Sequence, residues 1–340
     1  MKKSSIILMV VGVLLIVLAA GVRFVAVPVA SKLPGNTDIT THYSGKASLL
    51  NAQALQTGDT AHAFLKDQDI TMDRRVYVSA TTSDTAVVHD DTTAKVAGQT
   101  LPDNHTYAVD RTALTVAQAP ANTVVEHQSG YAVGLPIHPK ADDSYALYDS
   151  ATQLSSPMKY IGAESRGGRS VYHYESTAAG DVKDDSLLKT LPSALPSSLA
   201  PALAPSLPPE TQQALVSAGP LPPTVPLEYQ SSTTYGVWVD EQLGVPVDAS
   251  VHRTITALAN LGPRPLTLLP VLDTNVRSTP DSVQFVADKA ASSGRLLTII
   301  SVWTPIVLLA LGIVLVALAI VRRKPAVRTV PPSKVAAPTH

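Results

Sequence analysis

The sequence predicts a mainly β protein: an antiparallel β-barrel or sandwich with a few helices, lying outside the cytoplasm and flanked by two transmembrane α-helices. Three observations carry this. Charge-free apolar runs stand near both ends, at Ile6–Val22 and Leu296–Val321. Between them, period-two alternation of apolar and polar residues recurs, as in strands with one buried and one wet face. Turn residues separate those stretches, as antiparallel connections require.

The first apolar run follows a short basic start, Met1-Lys2-Lys3-Ser4-Ser5. It fits a retained anchor or a cleaved signal peptide. Its length and its continuation past Arg23 favour the anchor, and the small residues of Ala26–Ala30 keep cleavage open. The second run, at about 1.5 Å per residue of helix, covers a hydrocarbon core of roughly 30 Å. It stops at Arg322-Arg323-Lys324, with Arg328 beyond. Lysine and arginine therefore flank both runs on their outer sides, which places both termini in the cytoplasm and the central part outside. The expected organisation is a cytoplasmic start and first helix in 1–30, an extracytoplasmic β-rich domain in 31–277, a juxtamembrane helix in 278–295, a membrane helix in 296–321 and a disordered basic tail in 322–340.

The central domain offers several strand candidates: Arg75–Ser79, Thr85–His89, Thr106–Val109, Ala113–Ala117 and Ser170–Glu175. In the last of these Val171, His173 and Glu175 face one way, Tyr172 and Tyr174 the other. The strongest is Val247–Leu258, where Val247, Ala249, Val251, Ile255 and Ala257 share a face broken only by Arg253. From about Leu191 to Pro226 proline becomes dense, which forbids a strand and permits only short helices, one of them over Pro209–Leu215. The leucines between these prolines suggest an apolar lobe in 191–226, with a flexible low-complexity insert as the competing reading. Leu261–Pro265 reads as a loop. Ser278-Thr279-Pro280-Asp281 reads as a helix start, and Ser292-Ser293-Gly294 as a break before the membrane.

Composition narrows the chemistry. The 340 residues permit a sizeable core, and a net charge of −1 gives no general attraction to nucleic acid. Cysteine is absent, which excludes disulfides, thiolate metal sites and cysteine nucleophiles. The histidines form no H-x-x-x-H or H-E-x-x-H pair, and neither a G-x-S-x-G elbow nor a phosphate-binding glycine loop is present. The adjacent acids Asp90-Asp91, Asp142-Asp143 and Asp184-Asp185 are poor dyads on a strand, since neighbours there point to opposite faces. Solvated loops are their default reading and a weak calcium site the lesser one. His173 reads as structural, Ser165–Arg169 as a hairpin turn, and Asn104-His105-Thr106 as a sequon that occurs often by chance. No catalytic, cofactor-binding or metal-ligating residue is assigned, no cofactor is expected, and the chain is not expected to be an enzyme.

Several stretches taken in order add a resemblance: Tyr107–Arg111; Gly134–Pro139 followed by Tyr145–Asp149; Tyr160–Glu164 followed by Tyr172–Tyr174; and Val237–Asp240 with Gly244. Between two terminal apolar helices, they resemble the actinobacterial PorA-type porin family, long carried as a domain of unknown function. The resemblance implies a pore, which would require a homo-oligomer because one chain supplies two apolar helices without a central charge. The layout also resembles class B scavenger receptors, which suspend a β-rich lipid-handling domain between two terminal helices. The residues of these motifs themselves read as structural, with Asp110-Arg111 and Asp240–Gly244 as turns and Trp238 in an alternating strand. The functional expectation is a non-enzymatic cell-envelope protein that binds or passes lipid-like molecules, its partners being the bilayer and such a ligand. The alternative is an oligomeric channel.

Overall fold

The structure is a computed structural model that describes residues 3–51, 54, 57, 59, 62–199, 204, 207–217, 220–260 and 265–322. The expected loop at 261–264, the basic residues after Arg322 and several positions of the proline-rich stretch (200–203, 205, 206, 218 and 219) lie outside the described residues. The helices are α1 (Lys3–Gly21), α2 (Val27–Ala30), α3 (Asp185–Thr190), α4 (Pro209–Ser217), α5 (Pro280–Thr298) and α6 (Thr304–Val321). Single π-turns, Val22–Ala26 and Ile299–Trp303, join α1 to α2 and α5 to α6. The chain divides into two compact units, residues 31–294 and residues 1–30 with 295–340.

In the second of these units α1 packs on α6. Gly12 and Gly312 make the close approach possible: a Cβ on Gly12 would stand 2.8 Å from the Gly312 carbonyl oxygen. Small residues at a crossing let two backbones touch, which is how helices associate where water cannot drive them together. Ser5 Oγ, buried, donates to the Ala319 carbonyl at 2.6 Å. The outward faces stay apolar, with Leu14 63% and Ile313 54% exposed. Only 17% and 11% of the two apolar windows are buried, whereas a core helix of a soluble protein would be mostly covered. Both helices are long and apolar enough to cross a membrane.

The larger unit is built from long strands. They are β1 (Asp38–Leu50), β2 (Phe64–Thr81), β3 (Thr85–Val96), β4 (Gln99–Asp110), β5 (Ala146–Asp149), β6 (Leu154–Pro157), β7 (Lys159–Arg166), β8 (Arg169–Asp181), β9 (Ala194–Pro196), β10 (Thr224–Asp240), β11 (Pro246–Ala259) and β12 (Leu266–Ser278). One antiparallel sheet runs in the order β4-β3-β2-β1-β12-β11-β10-β8-β7, with β9 added to β10, and β5 pairs with β6 in a separate hairpin. The mainly β, antiparallel expectation is met, but the sheet is an open one: β4 and β7 are its two edges rather than neighbours in a closed barrel.

The sheet is strongly curled. Arg253 on β11 lies five strand spacings from Asp103 on β4, roughly 24 Å across a flat sheet. Yet Arg253 Nη1 is 4.0 Å from Asp103 Oδ2, so the concave face folds over on itself. The backbone supplies the bend. Register shifts interrupt pairing at Ala47/Leu49, Val78/Ala80, Ile255/Thr256 and Ala257/Leu258. Gly45 lets β12 come close, since a Cβ there would meet the Asn275 carbonyl oxygen at 1.9 Å. On the convex side α5 covers Val171, Trp238 and Val247 with Val286 and Ala287.

The turns follow from the sequence. Gly167 and Gly168, at φ of 53° and 75°, make the two-residue hairpin between β7 and β8. Asp240 Oδ1 accepts from the backbone N–H groups of Gln242 and Leu243, and Gly244 at φ 71° completes the turn into β11. Asp110 Oδ1 likewise accepts from Thr112 and Ala113. That turn explains one correction: Ala113–Ala117 is not a strand, but a return loop touching β4 through an isolated bridge at Val116. A second concerns the prolines. Leu191–Pro226 does contain strand, because Pro196 and Pro226 sit in the short β9–β10 ladder. The expected helix is there as α4, and Leu195, Leu207 and Val225 pack into the β core, so the described part of the lobe is integral to the domain. A third is that Ser292-Ser293-Gly294 does not break α5, which continues to Thr298; Ser292 Oγ instead bonds back to the carbonyls of Asp288 and Lys289. Its start is as expected, with Thr279 Oγ1 accepting from the Ser282 N–H.

Candidate functional site: a cavity inside the curled sheet

The curl leaves a cavity of about 320 Å³ in the β unit. Eight strands reach it, together with the 131–135 loop and the end of α3. Its wall is mostly apolar: Ile70, Met72, Val96, Val237, Val251 and Leu272 are representative. These come from alternate positions of their strands, the periodicity expected of an inward face. A volume of this size is at the lower end of small-molecule sites.

Polar groups on and just behind the wall gather into three clusters, the first and third meeting where Arg253 approaches Asp103. Arg253, the residue that breaks the apolar face of β11, points inward. Its Nη2 lies 3.2 Å from Asp149 Oδ1, which also accepts from Tyr235 Oη at 2.6 Å. Asp149 Oδ2 accepts from Thr152 N and Oγ1 at 2.9 and 2.7 Å. Asp149 is wholly buried. Burial alone would raise its pKa, but the Arg253 charge and the bonds from Tyr235 and Thr152 outweigh that and hold it below the usual carboxylate range. The second cluster is a bidentate pair: Arg74 Nε and Nη2 donate to the two oxygens of Asp90 at 2.7 and 2.6 Å.

The third cluster surrounds His105 on β4. Its Nε2 meets Asp103 Oδ1 at 2.8 Å and its Nδ1 meets Glu126 Oε2 at 2.7 Å. Burial works against charging this imidazole, yet the two carboxylates push its pKa up to about 10. Asp184, the cap of α3, is buried close by, and the ligand atoms of Asp103, His105 and Asp184 all lie within 4.8 Å of one another. Burial raises the Asp184 pKa, and the nearby Asp103 charge adds to it.

Of the acid pairs read from the sequence, Asp90-Asp91 lies on β3, where neighbours point to opposite faces, and the other two lie off the strands. Asp90 faces inward to Arg74, while Asp184 caps α3 and Asp185 sits in its first turn. Asp142 and Asp143 serve loop backbone, accepting from the N–H groups of Ser144 and Tyr160. His173 is buried and stacks on Trp238 at 4.2 Å between centroids, with the Arg166 and Arg277 guanidiniums over the same ring at 5.0 and 4.9 Å. This group lies on the α5 side of the sheet, away from the cavity wall. Sequence reasoning assigned no site residues and missed the convergence of Arg253, Asp149, Asp103 and His105. One signal was present, the lone arginine on the apolar face of the best strand.

Comparison with known proteins bears on this arrangement. The profile of a family described as Porin PorA matches residues 4–321. The chain belongs to that family. The match takes in both apolar helices and the whole β unit, and it supports a porin-type role in the cell envelope. No curated protein matches the chain. A solved MaoC domain protein dehydratase from Chloroflexus aurantiacus J-10-fl aligns over 79% of this chain and 80% of its own at 10% identity, with a TM-score of 0.14; at that score the likeness carries no argument about fold or activity.

Proposed function

We propose that this PorA-family protein is a non-enzymatic envelope protein whose β domain holds a lipid-like molecule and is tethered to the bilayer by its two apolar helices. The observation that carries the reading is the cavity: formed by the concave face of the β domain, apolar on most of its wall, and polar where Arg253, Asp103 and His105 come together. An amphiphile matches such a wall, its chain against Ile70, Val237 and Leu272 and its head at the Arg253–Asp149–Tyr235 pole. Lysines and arginines flank both helices on their outer sides, which supports a two-pass topology with both termini in the cytoplasm and the β domain outside. The test is native mass spectrometry of full-length protein extracted from its membrane, comparing wild type with Val251→Trp, which fills the cavity. Co-purified amphiphile in the wild type, reduced at least tenfold in the variant at unchanged thermal stability, is the expected result. Wild-type protein free of amphiphile, or equal occupancy in both, would reject the reading.

The second reading, an oligomeric channel, is favoured by the family description itself. Among the described residues one chain offers two helices able to span, so a helix-lined pore needs several copies. Single-channel conductance of the purified protein, lost when Leu296–Val321 is exchanged for an unrelated apolar anchor, would establish it.

A further inference from the structure

We infer that Asp103, His105 and Asp184 form a binding site for one divalent transition-metal ion at the edge of the cavity. The geometry comes first. Three donor atoms no more than 4.8 Å apart have a common centre within about 2.8 Å of each. A contraction of roughly 0.7 Å per ligand then gives the metal–nitrogen and metal–oxygen distances of about 2.0–2.2 Å that zinc requires. The donors come from two elements distant in sequence, β4 and the cap of α3, so the fold itself brings them together.

The surroundings favour a cation. Among the described residues the ion pairs of Asp90, Asp103, Glu126 and Asp149 are to Arg74, Arg253 and His105, and Asp184 lies beside them. Even with His105 charged, acids remain in excess in a region partly shielded from water. The second shell is also in place. Glu126 holds the Nδ1 side of the imidazole at 2.7 Å, which leaves Nε2 as the ligand atom, the carboxylate–histidine–metal arrangement of many metal sites. In the structure Asp103 Oδ1 meets Nε2 in a hydrogen bond of 2.8 Å. On binding, the Nε2 proton passes to solvent and Asp103 turns from that proton to the metal. Asp103 and His105 both line the cavity, so a further coordination position faces its interior. One imidazole with two carboxylates suits zinc or a neighbouring first-row ion better than calcium, which takes six to eight oxygens.

Titration calorimetry with zinc chloride on chelator-treated, full-length protein in detergent tests this. The expected result is one saturable site per chain, weakened at least tenfold in Asp103→Asn and in Asp184→Asn; asparagine retains the helix cap, so the second variant isolates the charge. No saturable site in the wild type, or a site unchanged in both variants, overturns the inference, the latter assigning the zinc to surface pairs such as His42 with Asp73. Should either variant fail to fold, the side-chain NMR signals of His105 in the wild type decide. A zinc-dependent shift supports the site, and signals that do not move overturn it. Neither outcome depends on what else the cavity holds.

Discussion

Replacing Asp149 by asparagine should destabilise the β domain more than any surface change, and the structure sets the size of the loss. Asp149 is fully buried and accepts four contacts: Arg253 Nη2, Tyr235 Oη, and the N–H and hydroxyl of Thr152. Asparagine keeps the shape but offers only one acceptor oxygen. Its amide nitrogen must face either the Arg253–Tyr235 side or the Thr152 N–H, donor against donor. Among the described residues it also leaves Arg253 with Asp103, at 4.0 Å, as its remaining ion-pair partner. Breaking a buried ion pair from one side costs about 3–5 kcal/mol. For a domain of this size that is a fall in Tm of roughly 6–20 °C. The assay is thermal melting of full-length protein in detergent, followed by near-ultraviolet circular dichroism. Arg253→Met should cost a similar amount, and the double variant less than the sum, because removing both charges leaves no uncompensated partner. A loss below about 1 kcal/mol for Asp149→Asn would be the value of a surface pair and would refute the claim that this cluster is shielded from water.

The same carboxylate sets an acid limit. Its folded pKa lies below the unfolded value near 3.8, so its contribution is present above that value and lost as pH falls through the folded pKa; Asp149→Asn should flatten the acid limb of a stability–pH curve. Gly45→Val should abolish the native β1–β12 pairing, since its Cβ would overlap the Asn275 carbonyl, whereas Gly98→Ala, with nothing within 4 Å, should cost only the strain of its positive φ; expression level and melting separate the two. Gly12→Val should loosen the α1–α6 contact, read as reduced cross-linking between cysteines placed at Ser5 and Ala319 in a chain that has no other cysteine. A cysteine at exposed Ser83 should react with an impermeant thiol reagent in intact cells and one at Ser333 should not; the reverse pattern would invert the topology.

Strands whose faces differ in polarity were legible in the sequence, and those whose faces do not were missed. Val247–Leu258 stands within β11 almost end to end because one face meets the core and the other the convex surface. Ser170–Glu175 separates for the same reason, Tyr174 joining the inner cluster and Val171 the α5 side. β1, with its alternating Tyr43, Gly45, Ala47 and Leu49, was hidden by its small inward residues, which the close approach of β12 requires. β12 was hidden by Pro270, tolerated because it falls at a register shift in the ladder. The prolines of 191–226 misled for a related reason: Pro196 and Pro226 lie in a three-residue ladder beside the sheet, where few N–H groups are needed. No local pattern could show the cavity. Asp103 and Arg253 are adjacent only because the sheet curls, and curl is set by register shifts distributed over three strand pairs.

That curl also explains why charges are buried here at all. A closed barrel has its radius fixed by a complete ring of ladder hydrogen bonds. An open sheet has no such ring, so its curvature must be held by contacts across the concave face. The clusters on the cavity wall are such contacts: Arg253 bridges β11 to the β5 end and approaches β4, Arg74 reaches across to the Ala132 carbonyl as well as to Asp90, and Tyr148 meets Tyr107 edge-on. An apolar core could supply the same energy, but it would fill the space these groups leave open. Polar bridges at one pole with apolar wall elsewhere hold the sheet apart while keeping it bent. A ligand held only by the folded form would add to this by mass action, about 2.7 kcal/mol at a hundred times its Kd. The buried polar pole is therefore the structural condition for having a cavity in an open sheet, and it places directional, charged chemistry against a wall that is otherwise suited to hydrocarbon.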